Sequence, residues 1–176
     1  MLALGGSDCE LVRDAVLGQP ANALSSLAYV VAAAYLLRRR GPRAPAVALA
    51  AVGVASFLYH GPMPAGAEVM HDGSLMALAV ALGVAAWGRR GLPRPPALAL
   101  GSLAVGVAAN LLTRTGAPLC RPESLVQGHA GWHVLTAVGA AVWLMCWAPA
   151  RPAGSRSALA DKQADPPPAH LRESDL

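Results

Sequence analysis

The sequence predicts an all-α fold, a polytopic bundle of transmembrane helices. Of its 176 residues, 55% are hydrophobic and 14% are charged, a balance that is unusual for a soluble domain of this size. Apolar stretches of about 17 to 24 residues, long enough to cross a bilayer, recur through the chain. The charged residues fall almost entirely between these stretches. We therefore expect the bilayer to be the solvent for most of the chain.

Five spanning helices are predicted from these stretches. In order, they are Asn22–Leu37, Ala44–His60, Val69–Trp87, Pro95–Leu112 and Leu125–Trp147. The residues before the first helix include acids and no apolar run preceded by basic residues, so a cleaved signal peptide is not expected. The first helix would then direct the chain to the membrane.

The residues after the fifth helix differ in composition from the rest. Proline, serine, alanine and charged residues dominate 149–176 and offer no apolar face to bury, which predicts a disordered tail. The transmembrane domain is accordingly expected at 1–148. The net charge of +4 reflects arginines that flank the hydrophobic segments, without the interleaved aromatics of a nucleic-acid-binding face. This pattern indicates a topology signal, and no nucleic-acid partner is expected.

The distribution of arginines indicates the orientation of the helices. The loops after the first and third helices share one side of the membrane and carry Arg38, Arg39, Arg40, Arg43, Arg89, Arg90 and Arg94. The other side carries fewer arginines together with all the acids that precede the tail: Arg13, Arg114, Arg121, Asp8, Glu10, Asp14, Glu68, Asp72 and Glu123. The positive-inside bias places the N-terminus outside and the tail in the cytoplasm. The high content of alanine, arginine and proline, with a single lysine, suggests a GC-rich bacterial genome. The membrane is therefore expected to be that of a bacterial cell.

Four of the five histidines are expected at the outer side of this bundle. His60 ends the second segment, His71 begins the third, and His129 and His133 begin the fifth. In HAGWH a spacing of four residues places both imidazoles on one helix face, where they can reach one ion. Three neutral imidazoles and a water are the usual ligand set of catalytic zinc. The sequence therefore predicts a metal site at the outer ends of the helices.

Several polar residues near these histidines have more than one interpretation. Ser56 shares a helix face with His60, and Asp72 could hydrogen-bond a metal-bound water, but serine also mediates helix packing in membranes. A single membrane histidine such as His71 is often interfacial or part of an interhelical hydrogen bond. Paired histidines can also ligate haem, although that needs histidines on opposing helices. Polar residues of the first helix should face the bundle and could equally form ordinary interhelical hydrogen bonds: Asn22, Ser25, Ser26 and Tyr29.

Four motifs occur in a fixed order along most of residues 8–147. They are SDCE followed by QPANALSSLAY, then SFLYH, then HDGSLM, and finally HAGWHVLTAVGAAV. This ordered set resembles the alkaline ceramidase family of the CREST superfamily of membrane hydrolases. The resemblance implies a zinc-dependent hydrolase of sphingolipid metabolism that cleaves the amide bond of ceramide or a related N-acyl lipid. The family is generally seven-helical, so this chain would be a short member with a differently shaped lipid cavity.

The resemblance also implies a role for each residue of the site. Zinc would be held by three histidines: His60, His129 and His133. Asp72 would take a proton from the metal-bound water, which then attacks the amide carbonyl as the nucleophile. Ser56 would donate a hydrogen bond to the developing oxyanion. His71 would stand beside Asp72 as a neighbour of the site, outside the ligand set.

Two further features involve the N-terminal segment. Asp8 and Glu10 resemble acids of a calcium site found in some ceramidases, but Gln19 stands where another acid is expected, so Ca²⁺ is not favoured. Cys9 and Cys120 both fall on the oxidising outer side, which makes a disulfide a reasonable hypothesis, with unpaired thiols as the alternative. Such a bond would tie the N-terminal segment over the helix ends that carry the histidines.

The leading functional hypothesis is a zinc-dependent amidase that acts on a lipid amide in the bilayer. The alternative is a receptor-like or structural metal-binding membrane protein, in which the ion braces the helices without turnover. The two hypotheses differ at Asp72. Replacing Asp72 at unchanged metal content should abolish the release of fatty acid only if the chain is an amidase.

Overall fold

The computed structural model describes residues 7–88 and 93–147, which form five α-helices and no β-strand. The helices are α1 (Pro20–Arg38), α2 (Arg43–His60), α3 (Ala67–Trp87), α4 (Ala97–Leu112) and α5 (Gly128–Met145). This confirms the prediction of an all-α fold. The tail predicted at 149–176 lies outside the described residues.

The first helix begins at Pro20, two residues earlier than predicted. Proline suits the first helical position because its fixed φ matches the helix and its missing N–H is not needed there. The Glu10 carboxylate then accepts the N–H groups of Ala21 and Asn22, each at 2.8 Å. A negative charge at this point also interacts favourably with the helix dipole. The acid that caps α1 therefore comes from a separate segment of the chain, where hydropathy does not reveal it.

The fifth helix begins at Gly128, three residues later than predicted. The buried side chain of Gln127 holds the preceding residues in a loop by donating hydrogen bonds to several carbonyl oxygens. These acceptors belong to Arg121, Pro122 and Ser124. Leu125, predicted as the first helical residue, is 76% exposed in this loop. The remaining boundaries lie within two residues of the predicted ones.

Three of the described helices, α1, α2 and α3, are long and apolar enough to cross a membrane by length and composition. α4 is a shorter apolar helix of 16 residues, and α5 carries the two histidines of HAGWH, which make its first turns more polar. Large apolar side chains on α3 and α4 are exposed, for example Val80 and Leu98. Lipid chains can cover such surfaces without loss of hydrophobic free energy. These apolar helices indicate a membrane protein.

The helices pack in a curved row, with α1 at its centre and with α3 and α4 at its two ends facing a shared cavity. α1 contacts α2 on one side and α5 on the other, while α3 packs on α2 and α4 packs on α5. At Gly53 of α2, an added Cβ atom would lie 2.8 Å from Cγ2 of Val30 on α1. Glycine is therefore required for this close approach, as is common between membrane helices. The apolar core lies at the end of the bundle away from the histidines, and its most deeply buried members include Leu36, Leu49, Leu144 and Trp147.

An apolar cavity of about 400 Å³ lies between α3 and α4. Leu78 and Leu82 of α3 form one wall, Leu103 of α4 forms another, and residues of α1, α2 and α5 complete it. The hydroxyls of Tyr29 and Thr136, which also line this cavity, are hydrogen-bonded to each other at 2.5 Å. The cavity thus combines apolar walls with a polar pair that is already satisfied.

The N-terminal segment packs over the end of the bundle that carries the histidines. Cys9 and Cys120 form a disulfide, the pair that the sequence hypothesis named. The N–H of Leu11 donates to the carbonyl oxygen of Pro122 at 3.0 Å, and the N–H of Cys9 donates to Oγ1 of Thr115 at 3.1 Å. The segment that precedes α1 is therefore fixed to the loop between α4 and α5.

Candidate metal centre

Three histidines come together where α2 ends and α5 begins. One ring nitrogen from each of His60, His129 and His133 lies within 4.8 Å of the others. The ring centroids are 4.9 Å apart for His60 and His129, 5.3 Å for His60 and His133, and 4.5 Å for His129 and His133. His60 and His133 are almost completely buried. The three histidines that the family resemblance implies as ligands therefore form a cluster that can hold a metal ion.

A glutamine orients the ring of His60. The Nδ1 atom of His60 lies 2.8 Å from Oε1 of Gln19, and Nε2 of Gln19 donates to the carbonyl oxygen of Glu10 at 2.8 Å. Because the Gln19 nitrogen is used in that second bond, its oxygen faces the ring, and this oxygen can only accept. His60 therefore carries its proton on Nδ1. Its Nε2 atom keeps a free lone pair.

An asparagine of α4 orients the ring of His129. The Nδ1 atom of His129 lies 2.9 Å from Oδ1 of Asn110 and 3.5 Å from a carboxylate oxygen of Asp8. Both neighbours are acceptors, so Nδ1 donates and Nε2 again keeps its lone pair. α4 contains no histidine, yet it contributes to the site through this contact.

Backbone and hydroxyl oxygens of α1 orient the ring of His133. Its Nδ1 atom lies 2.9 Å from Oγ of Ser25, 3.2 Å from the carbonyl oxygen of Asn22 and 3.3 Å from Oγ of Ser26. A carbonyl oxygen can only accept, so Nδ1 of His133 is the donor. All three histidines therefore share one tautomer, with the proton on Nδ1 and the lone pair on Nε2.

The Nε2 atoms fit a metal ion. Those of His60 and His129 are buried and have no hydrogen-bond partner among the described residues, and that of His133 has a single 3.3 Å contact with Oγ of Ser56. An unsatisfied buried nitrogen costs about 1–3 kcal/mol, which coordination to one ion would remove at all these atoms together. Histidines that bind metals commonly donate their other ring nitrogen to an oxygen, as here. Zinc–nitrogen bonds of about 2.0–2.1 Å place ligand nitrogens about 3.4 Å apart, so the rings would close slightly around the ion.

Ser56 lies beside the histidines and is already hydrogen-bonded. Its Oγ atom is 2.9 Å from Oγ of Ser26 and 3.3 Å from Nε2 of His133, and its side chain is buried. The structure therefore groups Ser56 with the histidines. Its predicted role as a donor to an oxyanion stays a prediction.

His71 and Asp72 lie at the edge of the cluster. The ring of His71 stacks on that of Tyr59 at 5.0 Å and is 6.4 Å from that of His60, centroid to centroid. Oδ1 of Asp72 lies 3.0 Å from Nδ1 of His71, and the Asp72 side chain is 70% exposed. The contacts of Asp72 thus reach the histidine cluster through His71. Its predicted role as the proton acceptor stays a prediction.

The two N-terminal acids have other partners in this structure. Both carboxylate oxygens of Glu10 accept N–H groups of α1, and the Asp8 carboxylate faces His129 and the hydroxyl of Ser7. That calcium is not favoured at Asp8 and Glu10 stays a prediction. In the observed structure, Glu10 caps the start of α1, and Asp8 lies beside the His129 ring of the candidate metal centre.

Comparison of the chain with protein-family models, with curated proteins and with solved structures finds no match. Its function is therefore inferred from its own residues. These residues combine a buried cluster of three histidines, an apolar cavity one helical turn away, and helices apolar enough to cross a membrane.

Two residues of the site were not recognised as such from the sequence. The sequence indicates Gln19 only as the replacement of an acid, and it assigns no role to Asn110. A signal for Asn110 does exist, because an amide within an otherwise apolar helix is expected to face the bundle interior. No comparable signal identifies Gln19, since its contact with His60 depends on how the N-terminal segment folds back.

Proposed function

We propose that the chain is a zinc-dependent membrane amidohydrolase that cleaves the amide bond of an N-acyl lipid, as the alkaline ceramidases that its motifs resemble do. The observation that carries this proposal is the common tautomer of the three clustered histidines, which leaves the Nε2 lone pairs of His60 and His129 without a partner among the described residues and that of His133 with only a 3.3 Å contact to Ser56. Three neutral imidazoles are the usual protein ligands of catalytic zinc and leave a coordination position for water or substrate. Zinc held there would supply a Lewis acid for a carbonyl oxygen and a water acidified by coordination.

The cavity between α3 and α4 supports a lipid as the substrate. Its polar end is formed by Tyr29 and Thr136, and the Tyr29 ring lies 5.8 Å from the ring of His133, centroid to centroid. A hydrocarbon chain in this cavity would therefore end about one helical turn from the histidines. The leucine, alanine and proline side chains of the walls leave no polar group unsatisfied when they contact a methylene chain.

Amide hydrolysis requires that protons move as bonds change. The oxygen of water adds to the carbonyl carbon, the C–N bond breaks, and a proton from water ends on the departing amine nitrogen. Asp72, hydrogen-bonded to His71 beside His60, would accept and return this proton. Ser56 would orient the carbonyl oxygen from its buried position beside His133. The products are a fatty acid and an amine.

We place the histidine end of the bundle outside the cytoplasm of a bacterial cell. The Cys9–Cys120 disulfide supports this orientation, because disulfides persist in oxidising compartments and this one lies at the histidine end. The arginines between α1 and α2 support it too, since positive loops favour the cytoplasmic side.

One observation favours a second candidate function, a receptor-like or structural metal protein. The carboxylate of Asp72 is largely exposed and contacts His71, not the three clustered histidines. Without a proton acceptor directed at the site, an ion would only join α2 to α5 and thereby stabilise the bundle.

The experiment that separates the two functions measures metal content and turnover on the same purified protein. We expect about one zinc per chain and the release of fatty acid from ceramides or other N-acyl lipids of varied chain length. Chelation should stop the release, and added zinc should restore it. Asp72→Ala should keep its zinc and lose the release, whereas Asp14→Ala, which removes an exposed carboxylate outside the site, should change neither. Zinc-loaded protein that releases no fatty acid from any of these lipids would favour the structural role.

A further inference from the structure

The side chain of Asn22 is buried and unpaired beside the histidine cluster. It is 0% exposed, and neither its Oδ1 nor its Nδ2 atom has a hydrogen-bond partner among the described residues. A buried polar atom without a partner costs about 1–3 kcal/mol, and native proteins rarely leave one unsatisfied. The carboxamide therefore needs a partner that residues 7–88 and 93–147 do not supply.

The neighbours of Asn22 along α1 show which way this carboxamide faces. Ser26 lies four residues after Asn22 on the same face of α1, and Gln19 lies immediately before the start of the helix. Gln19 contacts Nδ1 of His60 at 2.8 Å, and Oγ of Ser26 contacts Nδ1 of His133 at 3.3 Å. The carbonyl oxygen of Asn22 itself lies 3.2 Å from that same nitrogen of His133. Asn22 thus sits between two residues that both touch the cluster, and its side chain faces the same space.

We propose that Asn22 is a further catalytic residue, which donates a hydrogen bond from Nδ2 to the carbonyl oxygen of the lipid amide and to the oxyanion that develops from it. This role rests on the proposed amidohydrolase function. The hydroxyl of Ser56 is already shared between Ser26 and His133, whereas Nδ2 of Asn22 is uncommitted. Oδ1 of Asn22 would accept a hydrogen bond from the attacking water, whose proton goes to Asp72, so both atoms of the carboxamide gain partners in the complex. A donor already fixed in a buried site needs no rearrangement when charge develops.

The test measures ligand binding without turnover. It uses the full chain loaded with cobalt, and octanohydroxamic acid, an acyl ligand with a carbonyl oxygen that binds metals. Binding changes the visible spectrum of cobalt, which gives the dissociation constant directly. We expect Asn22→Leu to keep the wild-type cobalt content and the wild-type affinity for imidazole, which has no carbonyl oxygen. Its affinity for the hydroxamate should fall at least about 10-fold, and kcat for amide hydrolysis should fall about 100- to 1000-fold with a smaller change in KM.

A second measurement separates this role from an ordinary hydrogen bond between helices. Because the carboxamide has no partner within the part of the chain that the structure describes, metal-free Asn22→Leu should unfold at a temperature no lower than the wild type. Loss of an interhelical hydrogen bond would lower that temperature. Ser102→Ala is the matched control, since among the described residues its buried hydroxyl donates to the carbonyl oxygen of Leu98 in its own helix and to no other group. This control should bind the hydroxamate with wild-type affinity.

The assignment is overturned if Asn22→Leu binds the hydroxamate as tightly as the wild type, or if Ser102→Ala loses as much affinity. Should Asn22→Leu fail to fold, Asn22→Ala replaces it with the same expected affinities, because it adds no bulk. The failures of the two proposals are distinguishable. Release of fatty acid together with unchanged hydroxamate binding by the variant removes only the role of Asn22. Weakened hydroxamate binding by the variant, with no release by the wild type, removes the amidase and the catalytic role, and leaves Asn22 as a contact to the carbonyl oxygen of a bound ligand.

Discussion

The two ends of the helix bundle are stabilised by different interactions. At the histidine end, buried polar side chains are joined by hydrogen bonds and by a disulfide; they include Asp8, Glu10, Gln19, Ser26, Ser56, His60, Gln127 and His133. At the other end, apolar side chains are buried in the interior, among them Leu36, Leu144 and Trp147. Arginines such as Arg38 and Arg43 are exposed at its surface. Packing of apolar side chains therefore stabilises one end, and hydrogen bonds between buried polar groups stabilise the other.

This difference separates the end of the bundle that can bind a ligand from the end that contributes more to folding stability. The polar end leaves atoms unsatisfied at its centre, at Nε2 of His60 and His129 and at the carboxamide of Asn22. Such atoms lower stability unless a ligand engages them. The apolar end buries side chains such as Leu36 whose packing stabilises the bundle, and the one buried unpartnered atom described there is Nε1 of Trp147. Substitutions at the two ends should consequently change different measured quantities.

The largest expected effect is on metal affinity at the polar end. His60→Ala removes one of three ligand nitrogens and leaves a cavity in the cluster, so the affinity for zinc should fall more than about 100-fold. Competition with a chromophoric chelator measures this directly. His170→Ala, in the C-terminal tail, is the control and should bind zinc as the wild type does. A wild-type affinity for zinc in His60→Ala would show that His60 is not a ligand of the site.

The next effect is on stability at the apolar end. Leu36 is 0% exposed, and Leu36→Ala should lower the free energy of unfolding by about 2–5 kcal/mol through lost packing and an uncollapsed cavity. Its zinc content after purification should not change. Leu37→Ala is the adjacent control, because Leu37 is 44% exposed. Equal losses in the two variants, or loss of zinc in Leu36→Ala, would show that the two ends are not independent.

The disulfide contributes to stability at the polar end. Cys9 and Cys120 are separated by 111 residues, so closing this loop should stabilise the fold by about 2–4 kcal/mol through restriction of the unfolded chain. The double variant Cys9→Ser with Cys120→Ser should also bind zinc more weakly, since the N-terminal segment positions Asp8 and Gln19 against the histidine rings. Cys146→Ser is the control. An unchanged free energy of unfolding and an unchanged zinc affinity in the double variant would show that the N-terminal segment contributes neither to stability nor to the site.

Helix periodicity predicted that His129 and His133 share a face, and the order of the helices placed His60 at the same end, but neither predicted the residues that orient the three rings. His129 and His133 share a face at any rotation of α5, because their spacing alone decides this. Asn110 reaches His129 only because α4 packs on α5 at one rotation, and Gln19 reaches His60 only because the segment before α1 folds back. Those two features depend on tertiary packing, which a single sequence does not specify locally. The start of α5 escaped prediction for the same reason, since Gln127 bonds to a loop that folds around it.

The smallest expected effect concerns the residues that orient the ligands. Asn110→Leu removes the acceptor for Nδ1 of His129 and should weaken zinc binding about 10- to 100-fold. Asn110→Asp keeps an acceptor oxygen and should restore most of the affinity. Ser102→Ala on the same helix should have no effect on zinc. A loss in Asn110→Asp as large as that in Asn110→Leu would mean that the contact does not act by holding the tautomer.

The central claim is that three histidines bind one ion through their Nε2 atoms, and X-ray absorption of the zinc-loaded protein tests it most directly. The spectrum should fit three imidazole nitrogens at about 2.0–2.1 Å, with the remaining position taken by oxygen and no sulfur ligand. His133→Ala should reduce the imidazole contribution from three to two. A spectrum with fewer than three imidazoles in the wild type, or with a sulfur ligand, would contradict the account.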